Sequence, residues 1–346
     1  MPFDPNAAAS NDSGVFGLPF TKEESALVLL PVPWEATTSY GGGTANGPRA
    51  IEKASKQIDL FDLELGNFFN AGIYMLPESE EVRKWNDMAK EAASLVIELH
   101  DEALPDVINA LATVNILSQQ LNNYVYQQTN TLLHEGKLVG LLGGDHSSPF
   151  GAIRAFLERY PAMGILHIDA HADLRDAYEG FNYSHASIMH NVITRTSLNT
   201  LVQVGIRDFC ETEFDFINAH ADRIKTFYDI HLANAKLNGK HWSQLCDDII
   251  SHLPQEVYIS FDIDGLDPRY CPHTGTPVPG GLDFHDVLFL FKKVIESGRK
   301  IIGFDLNEVS PGETYAGEAE DTAAEWDANV GARLLYKLCG LTLISR

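Results

Sequence analysis

Four short segments of this chain concentrate side chains able to bind cations or move protons: GGDHS (143–147), DAHAD (169–173), DIDGLD (262–267) and NEVSPGE (307–313). On extended backbone, residues i, i+2 and i+4 point to one side, so Asp169, His171 and Asp173 face a common cavity. The alternation runs further, with His167 before these three and Arg175 after them in HIDAHADLRD. Asp262 and Asp264 repeat the same geometry behind the apolar run of VYISF. Buried carboxylates without a counter-charge are costly, and few Lys or Arg residues flank these segments. A divalent metal removes that cost. With His146 from GGDHS, four Asp and two His form a set of hard oxygen and borderline nitrogen donors suited to Mn²⁺ or a neighbouring first-row ion. Six protein ligands exceed what one open catalytic site uses, whereas two ions roughly 3.5–4 Å apart, sharing carboxylates, would employ all of them. His167 lies earlier in the apolar run and reads as a hydrogen-bonded core histidine; Asp267, before Pro268, reads as a turn residue.

The elements that must position these groups are strands followed by helices. Strands are expected at ALVLLPV (26–32), LVGLL (138–142), MGILHID (163–169), LVQVGIR (201–207), RIKTFYD (223–229), VYISFDID (257–264) and KIIGFDL (300–306). Amphipathic helical patterns such as PFGAIRAFLERY and DFHDVLFLFKKVIESG lie between most of them, which argues for an α/β fold with a parallel sheet covered on both faces. Gly47-Pro48 opens a short helix, and the SYGGGTANGP loop before it lacks the GK[ST] ending of a phosphate loop. From Ser79 to Gly136 the chain reads as mostly helical, with Leu111, Val114, Leu117, Leu121 and Val125 forming a core-facing stripe. Residues 1–24 read as a polar tail, and 25–346 as a single domain with a helical insertion around 76–135. All four chemical clusters follow predicted strands. Ligands gather outside the carboxyl ends of parallel strands, so the four should converge in space.

Composition narrows the partners. The 25 Lys plus Arg against 48 Asp plus Glu give a net charge of -23, which excludes a surface for nucleic acid or anionic membrane and favours a cationic partner. No run approaches the roughly 18 apolar residues of a membrane span. The N-terminal residues lack a basic region followed by an apolar stretch, so no secretory leader is expected. The four cysteines form no CxxC pair, which suits a reduced, cytoplasmic compartment.

Taken together, GGDHS, DAHAD, SFDIDGLDP with TGTPVPGG after it, and NEVSP resemble the ureohydrolase family of arginases, agmatinases, formiminoglutamases and guanidine hydrolases, over about Val28 to Arg333. The resemblance implies a three-layer α/β/α domain with a parallel sheet of about eight strands. It implies two Mn²⁺ ions, or Ni²⁺ as in some members, trimeric or hexameric assembly, and hydrolysis of a guanidino group to urea and an amine. Carried over, one ion would take His146, Asp169, Asp173 and Asp262, and the other Asp169, His171, Asp262 and Asp264. His185 in NYSHAS matches the proton-shuttling histidine, Glu308 the carboxylate that grips the guanidinium, and Thr276 a loop lining the pocket.

Arg175 stands where the arginase pattern has an asparagine that reads the amino-acid head group, which counts against arginine as substrate. The run DLRDAYEGFNYSHAS is similar to one branch of bacterial agmatinases, so agmatine leads, with guanidine next and formiminoglutamate after it. An Arg175 facing the pocket would repel agmatine's ammonium unless a carboxylate such as Glu179 paired with it.

Overall fold

A computed structural model describes residues 3–346 apart from 11, 39, 100–102 and 312–321. Its centre is one eight-stranded, all-parallel sheet in the order β2-β1-β3-β8-β7-β4-β5-β6. The strands are β1 (Leu27–Pro31), β2 (Ile73–Met75), β3 (Leu138–Leu142), β4 (Gly164–Ile168), β5 (Leu201–Ile206), β6 (Ile224–Tyr228), β7 (Glu256–Asp262) and β8 (Lys300–Asn307). Seven of them coincide with the apolar runs read from the sequence; β2, a three-residue edge strand, does not stand out there.

Strand side chains alternate between two apolar layers because the β period is two. In β7, Val257, Ile259 and Phe261 enter one layer and Tyr258 the other. The first layer is closed by α1 (Gly47–Ser55), α7 (Asp229–Leu237), α8 (Trp242–Ser251), α9 (Phe284–Glu296) and α10 (Thr322–Ile344). The second is closed by α3 (Pro105–His134), α4 (Phe150–Arg159), α5 (Ile188–Arg195) and α6 (Glu211–Ala219). Helix, sheet and helix form the three layers the resemblance implied.

The helical segment is a hairpin of α2 (Glu80–Leu99) and α3. Val114, Leu117, Leu121 and Val125 of the expected stripe are buried, and Leu111 is half-buried. Leu117, Leu121 and Val125 join Val82 and Ala89 of α2 against Val32, Trp34 and Ala36, just past β1. The N-terminal segment departs from a simple polar tail. Val15, Phe16 and Leu18 are buried in the first layer, and Phe16 N–H donates to Ser55 Oγ (2.9 Å), so this stretch covers α1.

Candidate active site

The strands that carry the four clusters, β3, β8, β7 and β4, are consecutive neighbours at the middle of the sheet. Their carboxyl ends therefore place His146, Glu308, Asp262 and Asp169 side by side. His146 Nδ1 lies 3.0 Å from Asp169 Oδ2 and 3.3 Å from both Asp173 Oδ2 and Asp262 Oδ2. His171 Nδ1 lies 3.1 Å from Asp264 Oδ2 and 3.5 Å from Asp169 Oδ1. All six expected ligands thus fall in two adjoining groups that share Asp169. Asp262 touches the second group through its Oδ1, which accepts Asp264 N–H (2.8 Å).

The backbone is bent to aim two of these carboxylates. Asp173 (φ 55°) and Glu308 (φ 62°) both occupy the left-handed region, which costs a non-glycine residue about 1–3 kcal/mol and persists only where the surroundings enforce it. For Asp173 the surroundings are α5, whose Met189 and His190 N–H groups both donate to the Asp173 carbonyl (3.0 Å each). For Glu308 they are its N–H to Gly144 O (2.8 Å), Thr274 Oγ1 donating to its carbonyl (2.8 Å), and His146 N–H donating to Oε1 (2.8 Å). Glu308 Oε2 and Asp173 Oδ2 are buried without a hydrogen-bond partner.

The charge of this cluster fits a divalent metal. Burial, and after it the neighbouring carboxylates, pushes Asp173, Asp262 and Glu308 well above the ordinary carboxylate range. Burial would also raise Asp169, but hydrogen bonds from His146, His167 and His171 hold it well below. Burial works against charge on His171 too, yet Asp264 and Asp169 carry it up to about 12. Oxygen and imidazole donors crowded at this spacing, with orphaned lone pairs among them, are what a site for hard to borderline cations requires.

Above this floor, the cavity wall is formed by Arg175, Tyr178, His185, Asp208, Phe209, Glu213 and Thr276. His185 opens the turn His185–Ser187 that leads into α5. Its N–H donates to Thr37 Oγ1 (3.1 Å) and its Nδ1 lies 3.2 Å from the same oxygen. Burial of the ring, with His171 and His146 nearby, lowers it to about 4. Thr276 Oγ1 lies 3.4 Å from Asp264 Oδ2. Arg175 faces the cavity, but its carboxylate neighbour is Glu213 on α6 (Nε–Oε2 3.5 Å), not Glu179, and its guanidinium lies over the Tyr178 ring at 4.7 Å. The 38-residue separation of Arg175 and Glu213 hides this pair in the sequence; adjacency of β4 and β5 creates it.

Sequence reasoning also passed over Thr37, Asp208, Ser260 and Asp305. Ser260 and Asp305 carried a readable signal, since each stands two residues before a cluster residue on an otherwise apolar strand.

The profile of the arginase family matches residues 25–339. The chain belongs to the arginase family. The N(1)-aminopropylagmatine ureohydrolase of Synechocystis is 31% identical to it, over 92% of this chain and 89% of the relative. The agmatinase of Bacillus subtilis is 28% identical, over 88% of this chain and 90% of its own. In fold, the arginase-family chain resembles the agmatine ureohydrolase of Thermoplasma volcanium (TM-score 0.70, 24% identity, 93% and 92% of the two chains). Among the described residues no helix of this ureohydrolase is long and apolar enough to cross a membrane.

Proposed function

We propose that this arginase-family protein is a metal-dependent hydrolase that cleaves a guanidino C–N bond to urea and an amine, with agmatine-type cations as substrates. The observation that carries this reading is Glu308: one carboxylate oxygen is tied to His146 N–H, and the other is buried, unpartnered and at the wall of the cavity beside the six-donor cluster. That free oxygen accepts hydrogen bonds from a planar guanidinium, a charge-assisted contact that fixes the carbon to be attacked. His146, Asp169, Asp173 and Asp262 would hold one ion, and Asp169, His171, Asp262 and Asp264 the other, with Mn²⁺ expected first and Ni²⁺ as the alternative. Such a pair supplies Lewis acidity and a nucleophile at neutral pH. His185, held by Thr37, would take up the proton given off by the attacking water and pass it to the departing nitrogen.

Asp208 supports a cationic tail: it is an exposed carboxylate at the cavity wall, with Oδ2 3.9 Å from His171 Nε2. Free guanidine is the second reading. It is favoured by Arg175, the single Lys or Arg lining the described cavity: Glu213 at 3.5 Å offsets its charge in part, and what is left opposes a tail ammonium but not a substrate without one. Urea release from protein loaded with Mn²⁺ or Ni²⁺, over agmatine, aminopropylagmatine, guanidinobutyrate, arginine and guanidine, tests both. The expected result is turnover only with metal and fastest with agmatine-type cations. Fastest turnover with guanidine selects the second reading, and no urea from any compound rejects both.

A further inference from the structure

His167 opens the alternation of HIDAHADLRD and has no part in the function proposed above. Its surroundings are specific. In register across the sheet it pairs with Gln203 of β5, and Gln203 with Thr226 of β6; on its other side it pairs with Ser260 of β7, and Ser260 with Asp305 of β8. These five polar residues form one row across five adjacent strands, where strand residues are otherwise mostly apolar. His167, Gln203, Ser260 and Asp305 are completely buried.

The hydrogens in this row can be placed one by one. Gln203 Nε2 donates to the Ala172 carbonyl (2.8 Å) and its Oε1 accepts from Thr226 Oγ1 (2.9 Å). A carbonyl cannot donate, so the amide has one orientation. The remaining Nε2 hydrogen points at His167 Nδ1 (3.1 Å), and an amide nitrogen cannot accept. His167 Nδ1 is therefore the acceptor, its ring hydrogen sits on Nε2, and that hydrogen is donated to Asp169 Oδ2 (2.8 Å). The other end of the row acts on His146 in the same manner. Ser260 Oγ donates to Asp305 Oδ1 (2.9 Å), so it receives His146 Nε2–H (2.9 Å) and leaves Nδ1, on the carboxylate side, to a proton or to a metal ion.

We infer that His167 is a positioning residue for Asp169, with its tautomer fixed by Gln203 and Thr226, and is not itself a metal ligand. This rests on Asp169 holding metal, as proposed above. For His167 Nε2 to ligate, its hydrogen would have to move to Nδ1. That hydrogen would then confront the Gln203 amide hydrogen across 3.1 Å. The row instead fixes the rotamer of the carboxylate shared by both groups of donors, and groups of this kind typically govern metal affinity by 10–100-fold.

Mn²⁺ affinity by chelator competition, metal content by elemental analysis and melting of the metal-free protein, compared for wild type, His167→Gln and Gln203→Met, test the inference. Gln203→Met keeps the ring and the volume but removes the lock. Both variants should bind Mn²⁺ roughly ten- to a hundredfold more weakly, yet hold two ions per chain at saturation and melt near wild type without metal. An affinity unchanged in Gln203→Met overturns the lock. One ion per chain at saturation in His167→Gln makes His167 a ligand and overturns the assignment. A wild-type protein that binds no ion removes the metal centre itself, which is seen before any variant is made.

Discussion

At the floor of the cavity His146, Asp169, Asp262 and Glu308 leave the ends of four adjacent buried strands, whereas at its mouth Arg175, Tyr178, Asp208 and Glu213 sit on the segments that follow β4 and β5. The floor is placed by the hydrogen-bonded register of the sheet, in which a slip of one residue turns strand side chains to the opposite face. The mouth is placed by side chains: an arginine over a tyrosine ring, 3.5 Å from a buried glutamate, and an aspartate exposed beside them. Loops tolerate change that strands do not. On the function proposed above, the chemistry is thus fixed where the backbone is most constrained, and the choice of substrate where it is least.

The largest effect should come from the floor. Asp262 belongs to both proposed ion sites, and its replacement by Asn removes an anion from each. Asp262→Asn should show no measurable urea release and reduced metal content by elemental analysis. Two ions per chain with normal turnover would mean that the floor is not a metal centre.

His185 stands between the two regions, held at the wall by Thr37 across 148 residues of sequence. His185→Ala should keep both ions and lose roughly 10²–10⁴-fold in kcat, the usual worth of a positioned proton donor. Unchanged kcat would confine the chemistry to the floor and leave the wall with binding alone.

The same division explains what could be read in the sequence. Parallel strands buried on both faces are written as continuous apolar runs, so seven of eight strands and the convergence of four polar clusters were legible. β2 was not, because three residues at an edge make too short a run. Val15, Phe16 and Leu18 are buried yet isolated among polar neighbours, without a period to reveal them. His167 was legible as a core histidine, but its donor role needed Gln203 and Thr226 from two other strands. The mouth was least legible. The alternation carried Arg175 past the ligand positions without giving its direction, and only the fold turned it to the cavity wall and supplied Glu213 in place of Glu179.

A smaller effect is expected at the mouth. Asp208 is two-thirds exposed (67%), so its attraction for a tail ammonium is screened and worth about 0.2–1 kcal/mol. Asp208→Asn should raise KM for agmatine roughly two- to fivefold and leave guanidine unaffected, as measured in parallel urea assays. An equal rise for both compounds would show that Asp208 acts on the floor through His171 and not on the tail.

The smallest effect concerns acid stability of the metal-free protein. In the fold, burial lowers His185 to about 4, against 6.5 for the free side chain. Between those values the unfolded chain takes up a proton that the folded protein refuses, so stability declines as pH falls through this window and is unaffected above it. His185→Gln removes the contribution. Its melting temperature should fall less steeply than wild type from pH 6.5 down to 4, with parallel curves above pH 7. Identical curves through the acid range would mean that the ring charges freely while folded. His185 would then belong with the solvated mouth, and its hold by Thr37 would be too loose to keep a neutral imidazole over the floor.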